Sequence, residues 1–192
     1  MNALKVKVVM GSVREGRFND KAARWIADIA TKHGLDVEIL DPKDWSIPEL
    51  TEAMPPSMVK DSAYSIDIVK KWAVKIKEAD AYILVTPEYN HGTSAVLKNL
   101  LDHVYAEWNN KAVGFVGYGS LGGGRAIEHL RGIAAEMQMA DVRTAVHIMA
   151  PWTLSDEKGA LKSGVLDIYE HAADSMLDQL VMWGTALKAA RS

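Results

Sequence analysis

The 192-residue chain contains no cysteine. That excludes disulfides, thiolate metal sites, iron–sulfur clusters and a cysteine nucleophile. An excess of charge of one sign is also missing, with 22 Lys and Arg against 25 Asp and Glu and a formal net charge of −3. Nothing global therefore favours nucleic acid or an anionic membrane, and any anion site must be local. No apolar run approaches the ~20 residues that a membrane-spanning helix needs. The opening MNALKVKVVMGS breaks its apolar run with lysines and leads straight into a strand pattern, unlike a signal peptide. The expectation is a soluble, cytoplasmic protein without membrane or nucleic-acid partners. A nucleophilic serine in G-x-S-x-G and a G-K-[ST] phosphate loop are absent too. The 6 histidines show no close ligand spacing, which argues against a metal site.

What is present is a composition of 48% hydrophobic and 24% charged residues, ordinary for a globular chain whose length suits one domain spanning 1–192. Apolar runs at Val6–Met10, Val37–Leu40, Ala81–Val85, Ala112–Val116 and Val142–Ile148 read as strands covered on both faces. Helical spacing fills the intervals: Asn19 to His33 with Gly34 as C-cap, a helix from Ile66 with Ser65 as N-cap, and Ser94 to Tyr105. Two more follow, from Ala126 to Met139 and from Leu166 to Leu187. The segment from Pro42 to Ser65 holds four of the 6 prolines and reads as a long surface stretch with at most a short helix. A β-α alternation repeated five times predicts one parallel sheet with helices on both faces.

Unusual chemistry follows three of the strands. GSVREGRFND follows the first, PEYNHGTS the third and YGSLGGGR the fourth. In open α/β sheets ligands bind beyond the carboxyl ends of the strands. The order 2-1-3-4-5 makes strands one, three and four neighbours, whereas 3-2-1-4-5 spreads their loops apart. The predicted fold is therefore a flavodoxin-like α/β three-layer sandwich.

The first loop suits a phosphate, with the Ser12 hydroxyl, the Arg14 and Arg17 guanidinium forks and the helix N-terminus near Asn19. Its glycines, Gly11 and Gly16, do not make the G-x-G-x-x-G fingerprint. The second loop suits a flat, polar heteroaromatic ring. Pro87 fixes the exit from the strand, and the backbone groups of Glu88, Tyr89 and Asn90 are expected to face the ligand. Tyr89 lies along a ring or polyol arm and Asn90 donates and accepts. The competing reading makes Tyr89 core and Glu88 a cap on the following helix. The third loop, Tyr118 to Gly124, has four glycines in seven residues, among them Gly122 and Gly123, with Ser120 between Gly119 and Gly122. Such glycines allow close backbone contact with a bound group, or merely a flexible turn. Ring, polyol arm and phosphate together describe flavin mononucleotide (FMN).

These three stretches resemble the NADPH-dependent FMN reductase family, which includes quinone, azo-dye and chromate reductases. The likeness runs from the first strand to the fifth, and PEYN after an apolar strand is its most specific element. The resemblance implies that Ser12, Arg14, Phe18 and Asn19 line a phosphate pocket. It implies that Pro87, Glu88, Tyr89 and Asn90 border the flavin ring, with Ser120 and Gly122 nearby. Arg17 stands where the family commonly has serine; it either strengthens phosphate binding or reaches toward NADPH. The implied activity is ping-pong hydride transfer from NADPH or NADH to FMN and on to a small-molecule acceptor, in a homodimer or homotetramer. A non-enzymatic FMN electron carrier and a nucleotide-binding α/β protein are the alternatives.

Overall fold

The strand-forming runs pair as parallel neighbours in the computed structural model, which describes residues 3–191. The strands are β1 (Lys5–Met10), β2 (Asp36–Leu40), β3 (Ala81–Pro87), β4 (Ala112–Gly119), β5 (Ala140–Asp141) and β6 (Val146–Met149). Their order is β2-β1-β3-β4-β5, with β6 also pairing with β4. This is the expected 2-1-3-4-5 arrangement. Every residue of β3 is buried, as a central strand covered on both faces requires.

The helices segregate by apolar stripe. α1 (Asn19–Lys32) and α5 (Glu170–Ala190) pack on one face of the sheet. α2 (Asp67–Lys77), α3 (Ala95–Asp102) and α4 (Gly124–Glu136) pack on the other. In α1 the buried set Ala22, Ala23, Ile26, Ala27, Ile29 and Ala30 is the stripe expected from the spacing. Gly34 then takes φ 80°, the left-handed conformation that ends the helix.

Three details depart from the sequence reading, whereas the proline-rich segment keeps to it. The fifth strand is split in two, because the backbone between β5 and β6, beyond the Val142 N–H that still donates to Val113 of β4, bonds to side chains instead of the sheet. Arg131 donates to the carbonyls of Val142 and Arg143, and Gln179 accepts from the amides of Arg143 and Thr144. Ser65 does not cap α2; Ile66 holds that position without a side-chain cap, and the Ser65 hydroxyl donates to Glu52. The proline-rich segment forms only two 3₁₀ turns, Pro42–Asp44 and Pro56–Met58. The last helix begins at Glu170, after a 3₁₀ turn over Asp167–Tyr169.

Candidate functional site

Parallel pairing carries β1, β3 and β4 side by side, so the three loops leave the sheet along one rim. They touch one another directly. The Ser12 hydroxyl lies 3.0 Å from the Tyr89 hydroxyl, joining the first and second loops. The Phe18 and Tyr118 rings pack at 5.3 Å, joining the first and third. The Glu88 N–H donates to the Tyr118 carbonyl at 3.0 Å, joining the second and third. Beneath them the fully buried Asn19 side chain accepts from the Gly11 N–H and donates to the Val85 carbonyl, locking β1 to β3.

A cleft of about 420 Å³ opens over this junction, of a size that suits a small-molecule ligand. Ser12, Arg14, Arg17, Phe18, Tyr89 and Tyr118 line it, together with Glu15, Gly16 and Lys21. Its far wall is a fourth segment, Pro151, Trp152, Ser155 and Gly159, which the motifs did not single out. Lys21 ties that wall to α1 by donating to the Ser155 hydroxyl at 2.7 Å. The available signal was a tryptophan beside a proline at the carboxyl end of the last strand. Trp152 is 67% exposed, unusual for so large an aromatic side chain.

The three helices that follow the decorated loops differ at their N-termini. Ser94 caps α3, its hydroxyl accepting from the Leu97 N–H at 3.1 Å. Glu88 caps α4, not the helix that follows it in sequence, accepting from the Arg125 N–H at 3.1 Å. α1 has Phe18 at its N-cap and no side-chain cap. Only α1, of these three, has no side chain accepting from its first amides; its Lys21 N–H turns to the Phe18 carbonyl at 3.0 Å, ahead of which the Asn19 and Asp20 amides face an incoming acceptor.

That difference also settles a spacing coincidence. Gly117-Tyr118-Gly119-Ser120-Leu121-Gly122 spells G-x-G-x-x-G between a strand and a helix. The Glu88 carboxylate stands where such a fingerprint would hold a pyrophosphate. The glycines serve protein packing instead. A Cβ on Gly123, at φ 73°, would lie 2.7 Å from Gly117 Cα. One on Gly122, at φ 61°, would lie 2.7 Å from His147 Cβ. Ser120 is exposed on the rim outside the cleft lining.

The second loop is a tight hairpin. Tyr89 and Gly92 exchange backbone hydrogen bonds of 2.9 and 3.0 Å around Asn90 and His91, at φ 49° and 70°. Two central residues with positive φ make a turn of the I′ kind, which suits asparagine. Glu88 and Tyr89 therefore spend their amides inside the protein, whereas the turn tip carries Asn90, exposed. Pro87 is the last residue of β3, buried and paired with Tyr118.

Charge in the site is sorted by burial. Burial works against the Glu88 carboxylate, but hydrogen bonds from the Arg125 side chain and amide outweigh it and hold Glu88 below the usual range. Glu88 is an anchor for Arg125, which also donates to His91 Nε2 at 2.8 Å. Burial pushes the Tyr118 phenol up, so it is a neutral hydroxyl at physiological pH. Arg14 is exposed, its guanidinium 5.7 Å from the Tyr89 ring centre. Arg17 is buried against Asp20 and Asp41. No cluster of three or more metal-ligating side chains occurs among the described residues.

A family model described as NADPH-dependent FMN reductase matches residues 4–153. An NAD(P)H-dependent FMN reductase of Schizosaccharomyces pombe is 37% identical over 164 residues, covering 85% of this chain and 78% of that protein. A 2-hydroxy-1,4-benzoquinone reductase of a Burkholderia species is 31% identical over 147 residues, covering 71% of this chain and 73% of that one. Among solved structures, the flavoenzyme NAD(P)H:(acceptor) oxidoreductase FerB of Paracoccus denitrificans superposes with a TM-score of 0.70. It is 19% identical and covers 93% of this chain and 97% of its own. A flavodoxin-like sheet with its decorated loops on one rim, and a family match across most of the chain, lead to one conclusion: the chain belongs to the NADPH-dependent FMN reductase family.

Proposed function

We infer that this protein is an NAD(P)H-dependent oxidoreductase that binds FMN in the cleft over β1, β3 and β4 and reduces quinone or azo acceptors. The observation that carries the reading is the meeting of the first two loops, Ser12 to Tyr89, beside the uncapped start of α1. An anion set against α1 meets free amides, the Ser12 hydroxyl and the exposed Arg14. Lys21 stands on the same wall. Tyr89 and the Phe18–Tyr118 pair offer flat surfaces for the ring and its arm, with Asn90 and Ser120 on the rim. Pro87, Glu88, Asn19, Gly122 and Gly123 hold the walls in place through the contacts described above. When bound, the flavin supplies the hydride chemistry, taking two electrons from NAD(P)H and passing them to the acceptor. The protein's share is to bind, orient and leave one face open. Glu88 stays ionised against Arg125 and so is not a proton donor in the site.

Purified protein should carry a yellow chromophore that bleaches under NADPH without oxygen and recovers on adding a quinone. A flavin that stays oxidised with both NADPH and NADH would reduce the protein to an FMN carrier.

We further propose that the whole chain is one FMN-binding domain, located in the cytoplasm and assembled as a homodimer or homotetramer. None of the helices among the described residues is long and apolar enough to cross a membrane. A groove of about 570 Å³ between α3 and α4, to which Tyr105 and Ile133 present half-buried apolar side chains, offers a surface for association. Sedimentation as a single 21.1 kDa species would contradict the assembly.

A further inference from the structure

Arg17 was expected either to strengthen phosphate binding or to reach toward NADPH, yet its geometry leaves no donor for either. Guanidinium has five N–H donors. Nε donates to Asp20 at 3.1 Å, and Nη2 donates to Asp20 at 2.8 Å and to Asp41. Nη1 donates to Asp41 at 2.9 Å and to the Ser12 carbonyl. All five are engaged inside the protein. The charge is likewise answered, since one arginine faces two carboxylates.

The contact with Ser12 has a structural consequence. It ties the carbonyl at the start of the first loop to the side chain at its end, closing the loop over Gly16 at φ 60°. A trans peptide is planar, so holding the Ser12 C=O on Arg17 turns the Val13 N–H to the opposite side. Asp41 is itself fixed, because its carboxylate caps the 3₁₀ turn after β2 by accepting from the Lys43 N–H at 2.9 Å. A rigid chain of contacts thus runs from the end of β2 through Asp41 and Arg17 to the backbone of Ser12, whose hydroxyl faces Tyr89 and the cleft.

We propose that Arg17 is a positioning residue for the flavin phosphate: it shapes the Ser12–Gly16 loop through Asp41 without contacting the ligand. This rests on the FMN reading above. Preorganised donors bind an anion without the cost of ordering the loop at the moment of binding. Arg17 therefore governs how strongly the protein prefers FMN to riboflavin, which lacks the phosphate.

The test is equilibrium fluorescence titration of the full chain with FMN and with riboflavin, for wild type, Arg17→Met and Arg17→Lys. Both variants should raise the Kd for FMN by about tenfold or more, with riboflavin unchanged within about twofold. Lysine keeps the charge but cannot reproduce the two-carboxylate fork and the carbonyl contact together, so it should not rescue. Wild-type FMN affinity in Arg17→Lys would overturn the proposal in favour of a simple charge effect. Equal losses for both ligands in the two variants would overturn it in favour of general packing. If wild type prefers FMN no more than riboflavin, the phosphate assignment of the cleft itself falls, and this proposal with it.

Discussion

Arg14 and Arg17 stand three positions apart in one loop and do opposite things. Arg14 is exposed beside Tyr89, with its donors available; Arg17 is buried between two carboxylates. Replacing Arg14 by alanine should therefore weaken FMN binding by about 1.5–3 kcal/mol, the worth of a hydrogen bond to a charged group. Unchanged affinity in a fluorescence titration would remove Arg14 from the phosphate site. Asp41 answers to stability rather than directly to binding. Burial opposes its ionisation, but the bonds from Arg17 and the Lys43 amide outweigh that and keep its carboxyl below the ordinary range. A depressed carboxyl contributes stability above its unfolded value of about 3.9, and the contribution is lost as pH falls through the lower folded value. Asp41→Asn should cost roughly 2–3 kcal/mol at neutral pH, since it leaves a buried arginine half-answered. Urea midpoints of the two proteins should draw together below about pH 4. A gap that stays constant across the acid range would show that Asp41 is not the titrating partner. The sequence made both arginines equal candidates, because an arginine's partner depends on which distant carboxylate the fold delivers. Asp41 arrives only through the parallel pairing of β1 with β2.

At the scale of elements, the link between the second loop and α4 is the part least legible in the chain. A carboxylate after β3 was readable as a cap, but the natural guess was the next helix. Ser94 already holds that place, and β3–β4 pairing brings Glu88 to α4 instead. Glu88→Ala should destabilise by about 2 kcal/mol through loss of the cap and of the Arg125 anchor. Glu88→Gln, which keeps an acceptor at the helix start, should cost about half of that. Equal urea midpoints for wild type and Glu88→Ala would contradict the capping role. The strands β1 to β4 were legible because continuous apolar runs have few other uses in a chain of this kind. The split between β5 and β6 was not, because it depends on Arg131 and Gln179 reaching over from α4 and α5. A run of residues does not announce which side chains will compete for its backbone.

For the whole molecule, the strand order could be inferred because only one arrangement gathers the three decorated loops, and that arrangement is the one found. The fourth wall, with Lys21 and Trp152, escaped notice, because it lacks a motif and becomes part of the cleft only once α1 and the segment after β6 lie together. The same logic bears on where the cofactor goes. The groove at Tyr105 and Ile133 is the larger hollow, but it offers neither an uncapped helix start nor a ring of aromatic walls. A crystal structure of the protein grown with FMN decides between the two most directly. The phosphate should lie within hydrogen-bond reach of the Ser12 hydroxyl and the first amides of α1, with the ring against Tyr89 and Arg17 still turned to Asp41. Flavin found in the groove beside α3 and α4, or a phosphate held by Arg17, would contradict the account.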